Sequence, residues 1–258
     1  MIDASLEKLL NSKNYADICP DTVRRVYAQC RARYKKTAEA DKAARRILHG
    51  ICGAFMTRRE AQRLGERIDA WGAGRTGEAL EALLACHAST RERLPLSRLE
   101  SAYGQIFSVT RRPGSVLDLA CGINPIYLGA MGIPVTGVDI SQSAVDAVNA
   151  FGSRLDLPVN AICSDILCSL PRPSRHYDLA LMLKLVPLLE RQQPGRSLEI
   201  IRDLDAGWIV VSFPTRTLGG KNVGMAQHYS HSTAQWLPPG RTVVKHFETE
   251  NELFCIVR

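Results

Sequence analysis

The sequence predicts an α/β fold with a mostly parallel sheet, closed by an antiparallel hairpin and preceded by a helical extension. Short apolar segments alternate with helical patterns in the second half of the chain, which is typical of strand–helix–strand units. These predicted strands cover 115–118, 135–139, 159–163, 177–183 and 208–213. Two further strands, 242–247 and 253–257, are joined by five polar residues and predict the hairpin. Before the first strand, 5–70 has helical periodicity throughout.

Helices fill the extension and connect the strands. The glycine-rich stretch 71–77 predicts a loop within the extension. Individual helices are predicted near 38–51, 78–86, 97–107, 141–154 and 194–204. We therefore divide the chain into a helical domain, 1–106, and an α/β domain, 107–258.

Length and composition restrict the class of protein. At 258 residues and 45% hydrophobic content, the chain can bury a substantial core. It has no apolar run near the roughly 18 residues that span a membrane, and its first residues lack the pattern of a signal peptide. We therefore expect a cytoplasmic protein without a membrane partner. The eight cysteines have neither paired nor zinc-binding spacing, so reduced thiols and no metal site are predicted.

The positive charge is confined to one part of the sequence. Residues 1–113 contain 21 Lys and Arg against 13 Asp and Glu, a net charge of +8, whereas residues 114–258 contain 12 against 13, a net charge of −1. Lys and Arg contacts to phosphates supply most non-specific affinity for nucleic acids, so this division favours an RNA partner. The alternative is a solvated helical surface that is merely basic.

Arginine dominates this basic part, and its planar fork suits bidentate contacts with phosphates and base edges. A second basic segment follows the predicted strand 208–213, on the rim where α/β sheets bind substrates. The candidate RNA-binding residues are Arg24, Arg25, Arg58, Arg59, Arg63, Arg67, Arg216 and Lys221.

Three consecutive predicted strands end in or just before carboxylates. Asp118 precedes a tight turn of small residues that contains Gly122, Asp139 ends the second strand, and Asp165 follows the third. A strand-end acid about twenty residues after a glycine turn is the position that holds ribose hydroxyls in nucleotide-binding sheets. The full G-x-G-x-x-G is absent. The series therefore resembles the S-adenosylmethionine (SAM) site of Rossmann-like methyltransferases more than a dinucleotide site; the alternative is an ordinary doubly wound domain.

A polar cluster at 87–94 directly precedes the predicted α/β domain and can fold back over its pocket. Arg93 is the candidate partner of a ligand carboxylate, because guanidinium and carboxylate groups pair bidentately. The alternative is a surface salt bridge.

Several segments together resemble the aminoglycoside-resistance methyltransferases that modify N7 of a guanine in the decoding site of 16S ribosomal RNA. The resemblance extends over nearly the whole chain, with mild departures at Ile123 and Val186 and a different composition between 55 and 87. The matching segments are 19–25, 48–55, 87–94, 120–125, 184–190 and 212–220.

The resemblance implies SAM as cofactor and the assembled small ribosomal subunit (30S) as substrate, with no obligate protein partner. Within the implied pocket, Arg93 would hold the methionine carboxylate, Asp139 the ribose, and Asp165 with Ile166 the adenine. The implied cofactor-binding residues are Phe55, His87, Ala88, Ser89, Arg93, Ala120, Gly122, Asp139, Asp165, Ile166, Leu183 and Gln192.

The reaction is predicted from what the sequence lacks. No N/D-P-P-aromatic motif follows the fourth strand, as is usual for methylation of exocyclic amines, and no cysteine nucleophile lies in 184–192 or 212–221. Guanine N7 already carries a lone pair, so methylation there needs positioning and no catalytic base. Arg216 and Lys184 are the positioning candidates; the alternative for the loop after 213 is a purely structural turn.

Two functional classes remain open at this point. The first is an rRNA guanine-N7 methyltransferase, and the second is a non-catalytic RNA-binding protein that retains a SAM-binding fold. The set of Asp118, Gly122, Asp139 and Asp165 favours the enzyme. An enzyme that acts on a small molecule fits poorly with the +8 extension.

Overall fold

The computed structural model describes residues 4–52, 55–170, 176–215 and 236–258. Helices precede the sheet in this part of the chain. They are α1 (Ala4–Leu10), α2 (Pro20–Arg33), α3 (Thr37–Cys52), α4 (Arg58–Gly74), α5 (Gly77–Leu84), α6 (Ala88–Arg91) and α7 (Leu96–Thr110). The helical extension predicted from the sequence is therefore present.

A seven-stranded sheet follows, with the strand order β3-β2-β1-β4-β5-β7-β6. Its elements are β1 (Val116–Leu119), α8 (Asn124–Ala130), β2 (Val135–Asp139), α9 (Gln142–Leu155), β3 (Val159–Cys163), β4 (Tyr177–Leu183), α10 (Val186–Gln192), α11 (Arg196–Asp203), β5 (Ala206–Pro214), β6 (Val243–Glu248) and β7 (Glu252–Val257). Strands β1 to β5 are parallel, and β7 pairs antiparallel with β5 and β6. The predicted fold class is confirmed.

The strand order reverses between β1 and β4, so a crevice opens at their carboxyl ends. The central strands are apolar on both faces because helices cover both. Leu179, Ala180, Leu181 and Met182 of β4 are all fully buried, for example. One core lies between the sheet and α4, α5 and α7 to α9, and another lies on the opposite face beside α10 and α11.

A third, separate core holds α1, α2 and α3 together, and we call these helices the three-helix unit. Helices α4, α5 and α7, in contrast, contribute buried side chains to the core of the sheet. The division predicted at 106/107 falls inside α7. It remains a prediction, while the cores separate the three-helix unit from the rest of the described chain.

The loop predicted at 71–77 is wrong over its first four residues, because α4 continues to Gly74. Trp71 is buried, and its ring packs against Phe151 of α9 with 5.2 Å between ring centroids. Arg75 then ends the helix in a left-handed conformation, with a φ of 49°. Burial of one large aromatic side chain thus outweighs the low helix propensity of the two glycines.

Helix α10 was not predicted. It begins directly after β4, with Pro187 in its first turn, where a missing N–H costs nothing. Val186 and Leu189 bury its inner face.

The described cysteine side chains form no disulfide. None of the described helices has the length and apolarity needed to cross a membrane.

Candidate active site

The three strand-end carboxylates lie at one edge of the sheet. Asp118 and Asp139 belong to the neighbouring parallel strands β1 and β2, and Asp165 follows β3 by two residues. All three strands run in the same direction, so their carboxyl ends meet beside the β1/β4 crevice. The structure therefore brings together the acids that the sequence predicted as a series.

The turn between β1 and α8 is tight and left-handed. Ala120 and Gly122 have φ values of 54° and 50°. The Gly122 N–H donates to Asp139 Oδ2 at 2.7 Å. A Cβ on Gly122 would lie 2.6 Å from Cε1 of His87, so only glycine fits at this position.

Asp118 is buried at the end of β1. Its Oδ2 accepts a hydrogen bond from Asn124 Nδ2 at 2.6 Å, and Asn124 also contacts the Tyr103 hydroxyl. Burial raises the pKa of Asp118 to about 7, against the opposing effects of Asn124 and Arg93. Near neutral pH, this carboxyl group is therefore poised between its protonated and ionised forms.

Asp139 is held by the backbone around it. Its Oδ1 accepts the Ser141 N–H at 2.9 Å, while Oδ2 receives the Gly122 N–H. Burial raises the pKa of Asp139, and these backbone hydrogen bonds oppose the rise. Each carboxylate oxygen can accept more than one hydrogen bond, so both remain suitable acceptors for ligand hydroxyls.

His87 forms one wall of the pocket beside the glycine turn. Its ring stacks on Phe55 with 5.8 Å between centroids, and the Ala88 N–H donates to the Phe55 carbonyl at 2.7 Å. Burial, reinforced by the nearby Arg93 charge, lowers the pKa of His87 to about 4. The imidazole is therefore neutral at physiological pH.

Arg93 is at the centre of a buried ion-pair network. Its Nε and Nη2 donate to the two carboxylate oxygens of Glu252, each at 2.8 Å. Lys184 Nζ pairs with Glu92 and lies 3.8 Å from Glu252 Oε2, and Ser212 Oγ donates to Glu252. Arg93 and Lys184 together hold the pKa of Glu252 below its ordinary value, although burial alone would raise it.

In this network, the Glu252 carboxylate is the partner of the Arg93 guanidinium. The alternative of a surface salt bridge is wrong, because both partners are buried. The remaining terminal nitrogen, Nη1, is 3.5 Å from Ser89 Oγ. Lys184 has a φ of 57° and is anchored by its charge to the same network, so its role towards a substrate base remains a prediction.

On the other side of the crevice, Asp165 and Gln192 are joined by an arginine from the three-helix unit. Arg25 Nε donates to Asp165 Oδ2, and Arg25 Nη2 donates to Gln192 Oε1, both at 2.9 Å. Asp165 Oδ1 accepts the Leu167 N–H at 2.9 Å. Ile166 is buried beside Asp165, and Leu183 lies at the end of β4.

Two of the arginines predicted to contact RNA have partners inside the fold, and their role towards RNA stays a prediction. Arg25 is only 11% exposed, and its guanidinium is bound to Asp165. Arg67 donates to the Ala82 carbonyl and, at 3.1 Å, to Cys86 Sγ, which attaches α4 to α5. Spacing along one helix could not reveal that these side chains are used inside the fold.

The other residues predicted to bind RNA are exposed or lie outside the part of the chain that the structure describes. Arg24, Arg59 and Arg63 are exposed, and Arg24 pairs locally with Asp21. The side chain of Arg58 and the residues Arg216 and Lys221 lie outside the described part of the chain, so their assignments stay predictions.

Sequence reasoning missed three sets of contacts at the site, namely those of Glu252, Asn124 and Arg25. Glu252 was assigned to the hairpin turn, although it begins β7 and is 1% exposed. The only signal was an acid adjoining an apolar strand. Its partner Arg93 is 159 residues away, and no spacing pattern connects the two.

Comparison with known proteins agrees with this geometry. Residues 11–247 match the model of the ribosomal RNA methyltransferase (FmrO) family. A 16S rRNA (guanine(1405)-N(7))-methyltransferase of Serratia marcescens is 39% identical over 252 residues, which cover 97% of this chain and 93% of that protein.

Solved structures show the same likeness. The crystal structure of the 16S rRNA methyltransferase RmtF in complex with S-adenosyl-L-homocysteine (SAH) superposes with a TM-score of 0.88 at 41% identity, covering 99% of this chain and 96% of RmtF. The 16S rRNA methylase RmtB superposes with a TM-score of 0.85 at 34% identity, covering 98% and 96%. This chain therefore belongs to the FmrO family of ribosomal RNA methyltransferases, which use SAM as the methyl donor.

Proposed function

We propose that this protein transfers a methyl group from SAM to N7 of guanine 1405 in 16S rRNA, within the assembled 30S subunit, and so confers aminoglycoside resistance. The observation that carries the proposal is the crevice at the β1/β4 reversal, where strand-end acids stand opposite the buried Arg93. The named activity of the relatives at 39% identity and below supports the same reaction. As part of the proposal, we place the enzyme in the cytoplasm with its ribosomal substrate.

The residues of the crevice fit SAM. Asp139 offers carboxylate oxygens to the ribose hydroxyls, and Asp118 offers a negative charge to the ammonium group once it ionises. Arg93 offers Nη1 to the carboxylate, while its other donors stay on Glu252. The left-handed turn at Gly122 has no side chain of its own, and the His87 ring packs against it to form the wall of the crevice.

The bound cofactor supplies an electrophilic methyl group, and the protein supplies placement. Guanine N7 attacks with a lone pair that is unprotonated at neutral pH, so no side chain has to remove a proton first. His87 is neutral and therefore adds no positive charge beside the cofactor. Because the base becomes cationic, we assign Glu92 and Glu252 a second task, which is to offset Lys184 and Arg93 near the crevice.

The exposed arginines Arg24, Arg59 and Arg63 are proposed to dock on rRNA phosphates, together with Arg58, Arg216 and Lys221. This assignment is supported by the net charge of +8 over residues 1–113 and by the exposure of the three described side chains. A non-catalytic RNA-binding protein is the less favoured alternative, since RNA binding alone does not require an intact cofactor crevice.

Incubation of purified 30S subunits with the enzyme and radiolabelled SAM tests the proposal. We expect label in 16S rRNA, and strand cleavage at the modified guanine after borohydride and aniline treatment, which cuts at N7-methylguanosine. Asp139→Ala, compared at equal enzyme concentration, should lose activity at limiting SAM. Labelled rRNA that resists the cleavage would refute the N7 assignment alone. The absence of any label, with 30S binding retained, would favour the non-catalytic alternative.

A further inference from the structure

Arg25 belongs to the three-helix unit, yet its side chain ends among residues of the cofactor crevice. It lies on α2 and bonds to Asp165, which follows β3, and to Gln192, the last residue of α10. Arg24, its neighbour in sequence, is 55% exposed and pairs only with Asp21 among the described salt bridges. Two adjacent arginines of one helix therefore have opposite environments.

One donor of Arg25 remains unused. Its Nη1 is buried and has no hydrogen-bond partner among the described residues, although Nε and Nη2 are both engaged. A buried guanidinium nitrogen without a partner carries a desolvation cost. It belongs to the same guanidinium that bonds Asp165, the implied partner of the adenine, and Gln192 of the implied cofactor pocket.

The connection between α1 and α2 touches the same half of the crevice at a second place. Asp17 Oδ1 accepts the Ser143 N–H at 2.7 Å, and the Asp17 carbonyl accepts the Gln142 N–H at 2.8 Å. The Cys19 N–H donates to the carbonyl of Ile140, the residue after Asp139, at 2.7 Å. The segment that follows the proposed ribose-binding acid is thus fixed by the residues that lead into α2, the helix that carries the proposed RNA contact Arg24.

We propose that Arg25 is a positioning residue of the cofactor crevice, which orients Asp165 and Gln192 and thereby couples cofactor binding to the position of the three-helix unit. The inference rests on the proposed assignment of Asp165 and Gln192 to that crevice. By linkage, any coupling acts in both directions, so a bound cofactor strengthens 30S binding by the same factor by which the 30S subunit strengthens cofactor binding.

The first test is calorimetric titration with SAH. Arg25→Gln should weaken SAH binding about tenfold, within the range of typical coupling factors, while Arg25→Lys should retain part of the affinity because one ammonium can hold one acceptor. Arg33→Gln is the matched control, since Arg33 is exposed on the same helix, and it should bind SAH as the wild type does. Thermal unfolding without ligand establishes that each variant is folded.

The second test asks whether Arg25 acts through Asp165. Asp165→Asn should also weaken SAH binding, and the loss in the double variant should be smaller than the product of the two single losses, because the second substitution removes an interaction already broken. In addition, SAH should strengthen 30S binding by the wild type and by Arg33→Gln, but not by Arg25→Gln.

The outcomes separate this inference from the proposed function. Wild-type SAH affinity in Arg25→Gln, with affinity lost in Asp165→Asn, overturns the role of Arg25 and leaves the crevice assignment in place. Wild-type affinity in both variants overturns the crevice assignment and the inference with it. Independent losses in the double variant overturn action through Asp165. If Arg25→Gln does not fold, SAH binding is measured with Arg25→Lys instead. Wild-type SAH affinity in Arg25→Lys would contradict the proposal.

Discussion

Asp118 and His87 are buried titratable residues whose pKa values are displaced in opposite directions. Native Asp118 keeps its proton up to about pH 7, whereas the unfolded carboxyl group loses it near pH 3.8. Native His87 stays neutral down to about pH 4, whereas the unfolded imidazole gains a proton below pH 6.5. Between about pH 4 and 6.5, unfolding therefore releases one proton from Asp118 and takes up one on His87, so their effects on the pH dependence of stability cancel.

Single substitutions should expose each contribution. In Asp118→Asn, of these two contributions to the pH dependence only that of His87 remains. Relative to the wild type, the free energy of unfolding should therefore decrease as the pH falls from about 6.5 to about 4, by up to about 1.4 kcal/mol per pH unit. In His87→Gln, only the contribution of Asp118 remains, so the free energy of unfolding relative to the wild type should decrease as the pH rises from about 4 to about 7. Urea unfolding across this range checks both, and parallel pH profiles in all three proteins would contradict the assignment.

Glu252 neutralises the buried Arg93 and lies near the partly buried Lys184, so its removal should be costly. Glu252→Ala leaves Arg93 and Lys184 without this carboxylate, and uncompensated buried charges typically cost about 3–5 kcal/mol. Glu250→Ala is the control, because the Arg98–Glu250 pair is 36% and 48% exposed and should be worth no more than about 1 kcal/mol. Urea denaturation measures both changes. Equal, small effects would show that the network does not stabilise the fold.

At the scale of single elements, two glycines inside helices differ in the space around them. Gly152 of α9 faces β3 so closely that a Cβ would lie 2.2 Å from the Val159 carbonyl oxygen. Gly65 of α4 is also inside a helix, but a Cβ there would meet nothing within 4 Å. The two positions have the same local structure and differ in packing.

Alanine at these positions should therefore have opposite effects. Gly152→Ala must displace backbone and should destabilise by about 1–3 kcal/mol or more, while Gly65→Ala should stabilise by about 0.5–1 kcal/mol through helix propensity. Thermal unfolding compares the two. Stabilisation of both variants would mean that helix propensity, and not contact with β3, governs position 152.

Element patterns explain how much could be predicted from the sequence. Strands β2, β3 and β4 were located at their observed bounds, because their apolar runs are short and bounded by turn residues. The end of α4 was misread since its glycines favour a loop, and only the distant Phe151 explains why Trp71 stays helical. The three acids were found because each adjoins its own strand. The Arg25–Asp165 and Arg93–Glu252 pairs were not, because 140 and 159 residues separate the partners.

At the scale of the whole molecule, the uneven charge makes a prediction about salt. If Arg59 and Arg63 each neutralise one phosphate, affinity for 30S subunits should fall steeply with salt, and the double reversal to Glu should reduce the slope of log affinity against log salt by about 1.5–2. Arg202→Glu is the control, because this exposed arginine belongs to α11, in the nearly neutral part of the chain.

Filter binding at several salt concentrations measures these slopes, and SAH affinity should change little in either variant. A salt-independent affinity of the wild type for the subunit would contradict electrostatic docking. An equal reduction of the slope in Arg202→Glu would show that the charge acts without regard to its position.

The sheet order has a consequence for assembly during synthesis. Strand β7 follows β6 in the sequence but lies between β5 and β6 in the sheet. Until 252–257 have been made, β5 presents an unpaired edge whose central residues, Ile209 to Val211, are wholly apolar, and such edges invite association between chains. The same strand delivers Glu252 to Arg93. Pairing of β7 with β5 therefore covers this apolar edge and brings Glu252 and Arg93 together.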